Sequence, residues 1–185
     1  MTEFFTSWTF GGFVFNVMCS MLASFGFIFI LLRYFRPKIA IVNGISKSDS
    51  PFDNRAEICY GFKIINKSFF SVYDITAEAS YFTVLQGENK IINKVYSNIP
   101  LKKSHVSSIK RRRLINKEYG DNCIQFFTYE NLSNAMDSQK KYIQFQVTCR
   151  HGLTGLSKVS AIEFVRCSDI QDGAFLSGNH HGIRK

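Results

Sequence analysis

A run of basic residues between positions 102 and 117, KKSHVSSIKRRRLINK, carries the residue types in this sequence that are best suited to chemistry. The run lacks acidic residues, and its basic members are Lys102, Lys103, Lys110, Arg111, Arg112, Arg113 and Lys117. Arginine binds phosphate oxygens in a bidentate manner, and each basic residue near an anionic membrane contributes about 1 kcal/mol. The run therefore predicts a site for a nucleotide or a lipid headgroup. A sheet edge blunted by outward charges is the alternative.

Arg150 and His151 form a second basic point ahead of a turn at Gly152, and they join the predicted ligand-binding set. The four histidines show no metal-ligand spacing with cysteines or carboxylates, so neither a metal site nor a cofactor is predicted. The sequence also lacks the nucleophile-elbow, Walker-loop and metalloprotease signatures. These observations favour a binding protein over an enzyme.

The net charge of the chain also indicates an anionic partner. The chain of 185 residues carries a formal charge of +9, and Glu3 is the one charged residue among its first 32, which leaves +10 on the remainder. A domain this basic favours anionic partners. Aromatic residues are not interleaved with the arginines of the 102–117 run, so long nucleic acid is a disfavoured partner. Five cysteines without a CxxC pair indicate free thiols in a reducing compartment.

The elements that must position these residues begin with a membrane anchor. Thr9 to Leu32 contains no charge, and a helix of that length covers about 36 Å, enough for a hydrocarbon core of about 30 Å. A cleaved signal peptide is the alternative, but a basic start and a small-residue cleavage site are absent. Arg33, Arg36 and Lys38 follow directly. The positive-inside rule therefore predicts a single-pass protein of the inner (plasma) membrane, with its N-terminus outside and its C-terminal domain in the cytoplasm.

One face of the predicted helix is rich in small and polar residues. They recur at spacings of three and four, and they are Gly12, Asn16, Cys19, Ser20, Ala23 and Ser24. Small residues let helices approach closely, and an amide in hydrocarbon needs a partner on a neighbouring helix. The face therefore predicts a homo-oligomer, in which a ring of helices would place Asn16 in a narrow lumen. Scattered small residues without a role are the alternative.

Period-two patterns after Pro37 predict strands, because apolar residues alternate with others between turn signals. The alternating segments are 58–64, 73–81, 123–129, 143–149 and 157–166. Seven or so short strands without a long amphipathic helix are typical of a sandwich. We therefore expect a mainly β fold, with an N-terminal transmembrane α-helix (1–35), an immunoglobulin-like antiparallel β-sandwich (36–176) and a disordered tail (177–185).

Three segments carry a resemblance to a known family. They are Arg36-Pro37-Lys38 after the helix, YGFKIINKSFFSVYDITAEASY (60–81) and GLTGLSKVSAIEFVRCSDIQDGAF (152–175). Over residues 36–175 the chain resembles the cytoplasmic domain of inward-rectifier potassium channels. The resemblance implies that fold, tetramers, and an anionic ligand near the membrane, with Arg36 and Lys38 where the family holds phosphoinositide headgroups. The sequence lacks a TVGYG-like filter, a pore helix and a second span, so this chain alone cannot build a potassium-selective pore.

Two functional hypotheses follow from these features. In the first, the sandwich senses an anionic ligand, either a nucleotide such as a cyclic oligonucleotide or a lipid headgroup. Ligand binding then controls an oligomeric helix assembly that permeabilises or depolarises the membrane, which is the layout of a small antiviral defence effector. In the second, the protein is a membrane-anchored scaffold or accessory subunit that binds a partner protein through the sandwich.

Overall fold

The structure is a computed structural model that describes residues 2–52, 57–86, 92–112 and 120–184; side chains are described for the same residues except 2–10, 86 and 92. The chain divides into two compact units, Met1–Arg36 and Pro37–Lys185. The first unit is helical, and the second contains all the strands described.

Helix α1 (Thr2–Tyr34) makes up almost the whole first unit. Its segment Gly11–Tyr34 has 24 residues, and the most apolar 18-residue window of the segment has a mean hydropathy of 2.2 and no buried residues. At about 1.5 Å per residue, the segment covers about 36 Å. The helix is therefore long and apolar enough to cross a membrane, as the sequence predicts.

The second unit consists mainly of strands. In chain order they are β1 (Ile39–Ile41), β2 (Ile45–Asp49), β3 (Ile58–Asn66), β4 (Val72–Gln86), β5 (Ile92–Ile99), β6 (His105–Ile109), β7 (Cys123–Thr128), β8 (Tyr142–His151), β9 (Ser157–Phe164), β10 (Ile170–Asp172), β11 (Ala174–Phe175) and β12 (Ile183–Arg184). A short helix, α2 (Leu132–Asp137), lies between β7 and β8, and single 3-10 turns occur at Gly120–Asn122 and Cys167–Asp169.

These strands form two five-stranded sheets and one small hairpin. In the first sheet, β3 pairs antiparallel with β1 and β2 along different halves of its length, and with β7. Strand β10 adds to β2 in parallel. In the second sheet, β4 pairs with β5 and β6 along different halves, and with β8, which pairs with β9. The predicted mainly β fold, an N-terminal helix followed by an antiparallel sandwich, is confirmed; the β2–β10 pair is parallel.

Aromatic packing joins the two sheets. The rings of Phe62 on β3 and Phe145 on β8 stack with centroids 4.5 Å apart and an interplanar angle of 2°. Phe126 lies 6.0 Å from Phe145, and Phe164 lies 6.1 Å from Phe62. All four side chains are buried, and each contributes about 1.5–3 kcal/mol of hydrophobic free energy. Alternation along β3 and β8 therefore directs one face of each strand into a common core.

The opposite face of β3 is covered as well, by the C-terminal segment. Hairpin β11–β12 places Phe175 in a small cluster with Val42 and Ile65. The sequence predicts a disordered tail at 177–185, whereas the structure describes residues 177–184, where β12 pairs with β11 and apolar side chains pack.

The ammonium group of Lys63 also holds the C-terminal segment, through hydrogen bonds to backbone carbonyls. Its side chain is fully buried, and its ammonium group donates to the carbonyl oxygens of Leu176 at 2.7 Å and His180 at 2.9 Å. Burial lowers the pKa of Lys63, because the charged form loses its hydration. A buried cation on two carbonyls therefore ties the end of the chain to the central strand.

Replacing Lys63 with Met would test this tie. The two carbonyls would lose their donor, so the segment would open more often. The amide of Leu176 donates to the Gly182 carbonyl at 3.0 Å. We expect hydrogen exchange at this amide to accelerate by about tenfold.

Lys94→Met is the matched control, since it removes a lysine paired with Glu163 at 2.6 Å on the surface of the other sheet. This variant should leave exchange at Leu176 unchanged. Equal exchange rates in the Lys63 variant and the wild type would contradict the assigned role of Lys63.

Candidate anion-binding site

A buried polar turn, residues 66–68, lies at the end of β3. Asn66 is fully buried, and its side-chain amide donates to the carbonyls of Phe70 at 2.9 Å and Lys110 at 3.0 Å. Its side-chain oxygen accepts from the Ser68 amide at 2.9 Å. The Asn122 side chain donates to the Asn66 carbonyl at 3.2 Å. One asparagine thus joins the ends of β3 and β6, and Asn122 adds the start of β7.

The same turn fixes the backbone of several basic residues. The Lys38 amide donates to Ser68 Oγ at 2.8 Å, and the Lys67 amide donates to the Lys38 carbonyl at 2.8 Å. The Arg112 amide donates to the Ser68 carbonyl at 3.1 Å. Three chain segments that are far apart in sequence therefore meet here.

We call the resulting set the basic end: Lys38, Lys67, Lys110, Arg111 and Arg112. All five side chains are exposed. Lys110 Nζ lies 3.1 Å from Asp121 Oδ2, so one acidic group partly offsets the charge. Exposed cations whose backbones are held by a buried turn suit a multiply charged anion, because the turn limits their separation.

Lys67 belongs to this set although the sequence analysis missed it. It lies between strands in the segment Asn66-Lys67-Ser68, 43 residues before Lys110. An asparagine and a serine around a lysine indicate a turn, and nothing local indicates that the turn meets a distant basic run.

The predicted run at 102–117 does not form one site among the residues described. Strand β6 separates Lys102 and Lys103 from Lys110, and its five residues alone cover about 17 Å. Lys102 lies 4.4 Å from the ring centroid of Phe52, and its ammonium donates to the Tyr129 hydroxyl at 3.0 Å. Lys103 is exposed beside it. An extended strand between the two halves of the run is the reason for the separation.

Three other predicted residues are not included in the basic end. Arg36 is exposed and belongs to the helical unit, and Arg113 lies outside the described residues. Arg150 Nη1 is 3.8 Å from Asp74 Oδ2, and the other oxygen of Asp74 is 3.1 Å from His105 Nε2. Asp74 has a φ of 51° where the β4–β8 register shifts. These three exposed side chains form a surface charge cluster of small energetic effect.

The structure does not place His151, a predicted ligand-binding residue, among the exposed cations, because this residue is buried and supports a turn. Its Nδ1 accepts the Thr154 amide hydrogen at 3.0 Å, and its ring packs edge-on against Phe70 with centroids 4.2 Å apart. Burial lowers the pKa of His151, and an Nδ1 that accepts a hydrogen bond has no proton. A neutral, buried imidazole offers no charge to an anion.

A polar pocket of about 410 Å³ lies between α2 and the strands, and no pattern in the sequence predicts it. Lys47, Tyr129 and Asp137 line it, together with the Tyr60 hydroxyl, which contacts Asn131 Oδ1 at 3.2 Å. The pocket contains no member of the basic end. The described residues contain no group of three or more His, Cys, Asp or Glu side chains suited to a metal ion.

A shallow groove of about 500 Å³ runs along α1. Asn16, Ser20 and Ser24 line it, and apolar side chains from Phe13 to Ile28 flank it. Ser24 Oγ donates to the Ser20 carbonyl at 2.9 Å, which satisfies that hydroxyl within the helix. The other predicted members of the small face, Gly12, Cys19 and Ala23, are exposed on the helix but do not line the groove.

Comparison with known proteins identifies no family for this chain. No family model matches the chain, and no curated protein matches it. Among solved structures, the chain is similar to a protein from Bordetella pertussis solved under the name ApaA, at 9% identity, with 70% of this chain and 92% of that chain covered. The TM-score of 0.36 is too low to carry an argument about function.

Acidification should loosen the turn that His151 supports. In the unfolded chain His151 binds a proton near its ordinary pKa of 6.5, while burial lowers this value in the folded protein. The unfolded state therefore binds more protons, so this contribution to stability is complete above pH 6.5 and declines as pH falls through the folded pKa. Protection of the Thr154 amide against hydrogen exchange, measured relative to the slower intrinsic exchange at low pH, should therefore fall between pH 7.5 and pH 5.

His151→Asn replaces Nδ1 with an acceptor that does not titrate, so this loss of protection should disappear. His105→Asn changes an exposed histidine and should retain it. Identical pH profiles for all three proteins would show that His151 does not titrate with the turn.

Proposed function

We propose that this protein is a single-pass membrane effector whose sandwich binds an anionic, phosphate-bearing ligand at the basic end. Binding changes the association of α1 helices, and the oligomer then permeabilises the membrane. The observation that carries the proposal is the meeting of Lys38, Lys67 and residues 110–112 at one buried turn. Lys38 is also the second residue of the sandwich unit, so the chain enters the sandwich at this end.

Electrostatics supports the choice of ligand class. Each Lys or Arg near an anionic surface contributes about 1 kcal/mol, and arginine adds bidentate hydrogen bonds to phosphate. Asp121 opposes part of this attraction through its pair with Lys110. Four positive charges remain in excess, which favours a ligand with several phosphates or an anionic surface.

Topology follows from the flanks of the helix. Arg33, Arg36 and Lys38 follow the apolar segment, whereas Glu3 precedes it. The positive-inside rule then places the sandwich in the cytoplasm of a cell whose inner, or plasma, membrane holds α1. The free cysteines of the described chain fit this reducing compartment.

Helix association supplies the second half of the mechanism. The Asn16 amide lies in the groove of α1, and in hydrocarbon such an amide hydrogen-bonds to a neighbouring helix at about 0.6–2 kcal/mol. Several weak contacts of this kind form a reversible assembly. Four copies is the number that the resemblance to inward-rectifier channels implies.

Dye release from liposomes tests both halves. Full-length protein would be reconstituted with an entrapped dye and exposed to cyclic dinucleotides, cyclic trinucleotides or added anionic lipid. We expect release to require one of these ligands. Asn16→Leu should abolish release while leaving ligand binding intact, because it removes only the interhelical hydrogen bond.

Charge neutralisation is the second arm of the same experiment. Changing Lys38, Lys67, Lys110 and Arg112 to Gln should remove the ligand response. Changing Lys102 and Lys103 to Gln is the control from the same basic run at the far end of β6, and this variant should respond normally. Ligand-independent release, or release that all variants share, would contradict the proposal.

A scaffold function is the second candidate, and exposed apolar residues on the β4–β5 hairpin favour it. Leu85, Val95 and Tyr96 are large, apolar and about half exposed. A partner protein would bury them. Exchange of α1 for an unrelated single-span helix separates the candidates, because a scaffold keeps its activity and a helix-gated effector loses it.

A further inference from the structure

Two exposed apolar side chains project from loops at the same end of the sandwich as the basic residues. Phe69 lies in the β3–β4 turn and is 69% exposed, and Leu153 lies in the β8–β9 turn and is 86% exposed. These are the two highest values among the large hydrophobic residues of the sandwich that the structure describes.

The two loops are held together by packing and pairing. Phe70, next to Phe69, packs against His151, two residues before Leu153. Val72 pairs with His151 on one side and with Ile109 on the other. The turns carrying Phe69 and Leu153 therefore share a rigid frame with the end of β6, where the basic residues 110–112 begin.

Polar residues normally occupy turn tips, because side chains there remain in water. A phenylalanine and a leucine at two tips, bordered by lysines and arginines, match the pattern of surfaces that enter the boundary between headgroups and acyl chains. Insertion removes the apolar surface of each side chain from water, and the surrounding cations add electrostatic attraction to anionic lipid.

A soluble nucleotide fits these features less well. Small-molecule sites are concave and enclose most of their ligand, whereas the five side chains of the basic end are exposed. A nucleotide would also leave Leu153 in water, whereas a bilayer buries it.

We infer that this end of the sandwich docks on an anionic bilayer, with Phe69 and Leu153 inserted below the headgroups and the basic end bound to lipid phosphates. The inference rests on the proposed function, because it identifies the anionic ligand of the same site as the membrane itself. Three residues, 35–37, separate Tyr34 at the end of α1 from Lys38. A connection of this length reaches at most about 14 Å, so an inserted α1 keeps the basic end near lipid.

Fluorescence quenching by brominated lipid tests the inference in the full chain. Trp8 is the single tryptophan, so the double change Trp8→Phe with Phe69→Trp gives one reporter at the loop. In vesicles of phosphatidylglycerol with brominated acyl chains, we expect its emission to fall by about twofold, because insertion brings the ring to the acyl boundary. In vesicles of phosphatidylcholine the loss should be much smaller.

Leu85→Trp with Trp8→Phe is the matched control. Leu85 is 52% exposed and lies 13 residues along β4 from Val72, which is about 40 Å in a strand. Its emission should not change. Equal quenching at positions 69 and 85, or none at 69, overturns the inference. Lys67→Glu with Arg112→Glu should reduce quenching at 69, and unchanged quenching would overturn the role of the cations.

Quenching of Trp8 in the unmodified protein shows whether α1 is inserted in the bilayer, independently of whether the sandwich docks on it. Quenching of Trp8 without quenching at position 69 overturns docking alone. Nucleotide-triggered dye release with no quenching at 69 likewise overturns docking and leaves the proposed effector function supported. If Trp8 itself is not quenched, α1 is not in the bilayer and both proposals fall.

Discussion

The arrangement of this end of the sandwich depends on the hydrogen bonds of the buried Asn66 side chain. An asparagine amide removed from water is tolerated only when its donors and acceptor are bonded, and Asn66 bonds Phe70, Lys110 and Ser68. Each of these bonds joins backbone rather than another side chain. The basic residues are therefore positioned by main-chain geometry, which leaves their own side chains exposed for an anion.

A second buried polar group, Lys63, organises the opposite face of β3. Its ammonium bonds two carbonyls of the C-terminal segment instead of a carboxylate, so the cation stabilises order in the last residues of the chain. His181 lies near Lys63 and Lys67, and burial followed by these two charges lowers its pKa. The central strand thus connects the core, the C-terminal segment and the basic end.

Local signals in the sequence predict the helix, the strands and the sandwich, because the uncharged run at 9–32 and the period-two segments are short-range patterns. Contacts between distant segments leave no such pattern. Asn66 and Lys110 are in contact although they lie 44 residues apart, and a lysine at position 63 indicates solvent unless the covering segment is known. The run at 102–117 is contiguous in sequence, but β6 extends through its middle and separates its two ends in space.

Hydrogen exchange in the Asn66→Ala variant of the full-length protein tests the central claim most directly. If Asn66 assembles the basic end, exchange at the amides of Lys38, Lys67 and Arg112 should accelerate by about tenfold or more, because the turn loses its three side-chain bonds. The β8–β9 ladder should keep its protection, and Asn98→Ala, at an exposed position of β5, should change neither. Unchanged exchange at those three amides, or the same acceleration throughout the sandwich, would contradict the account.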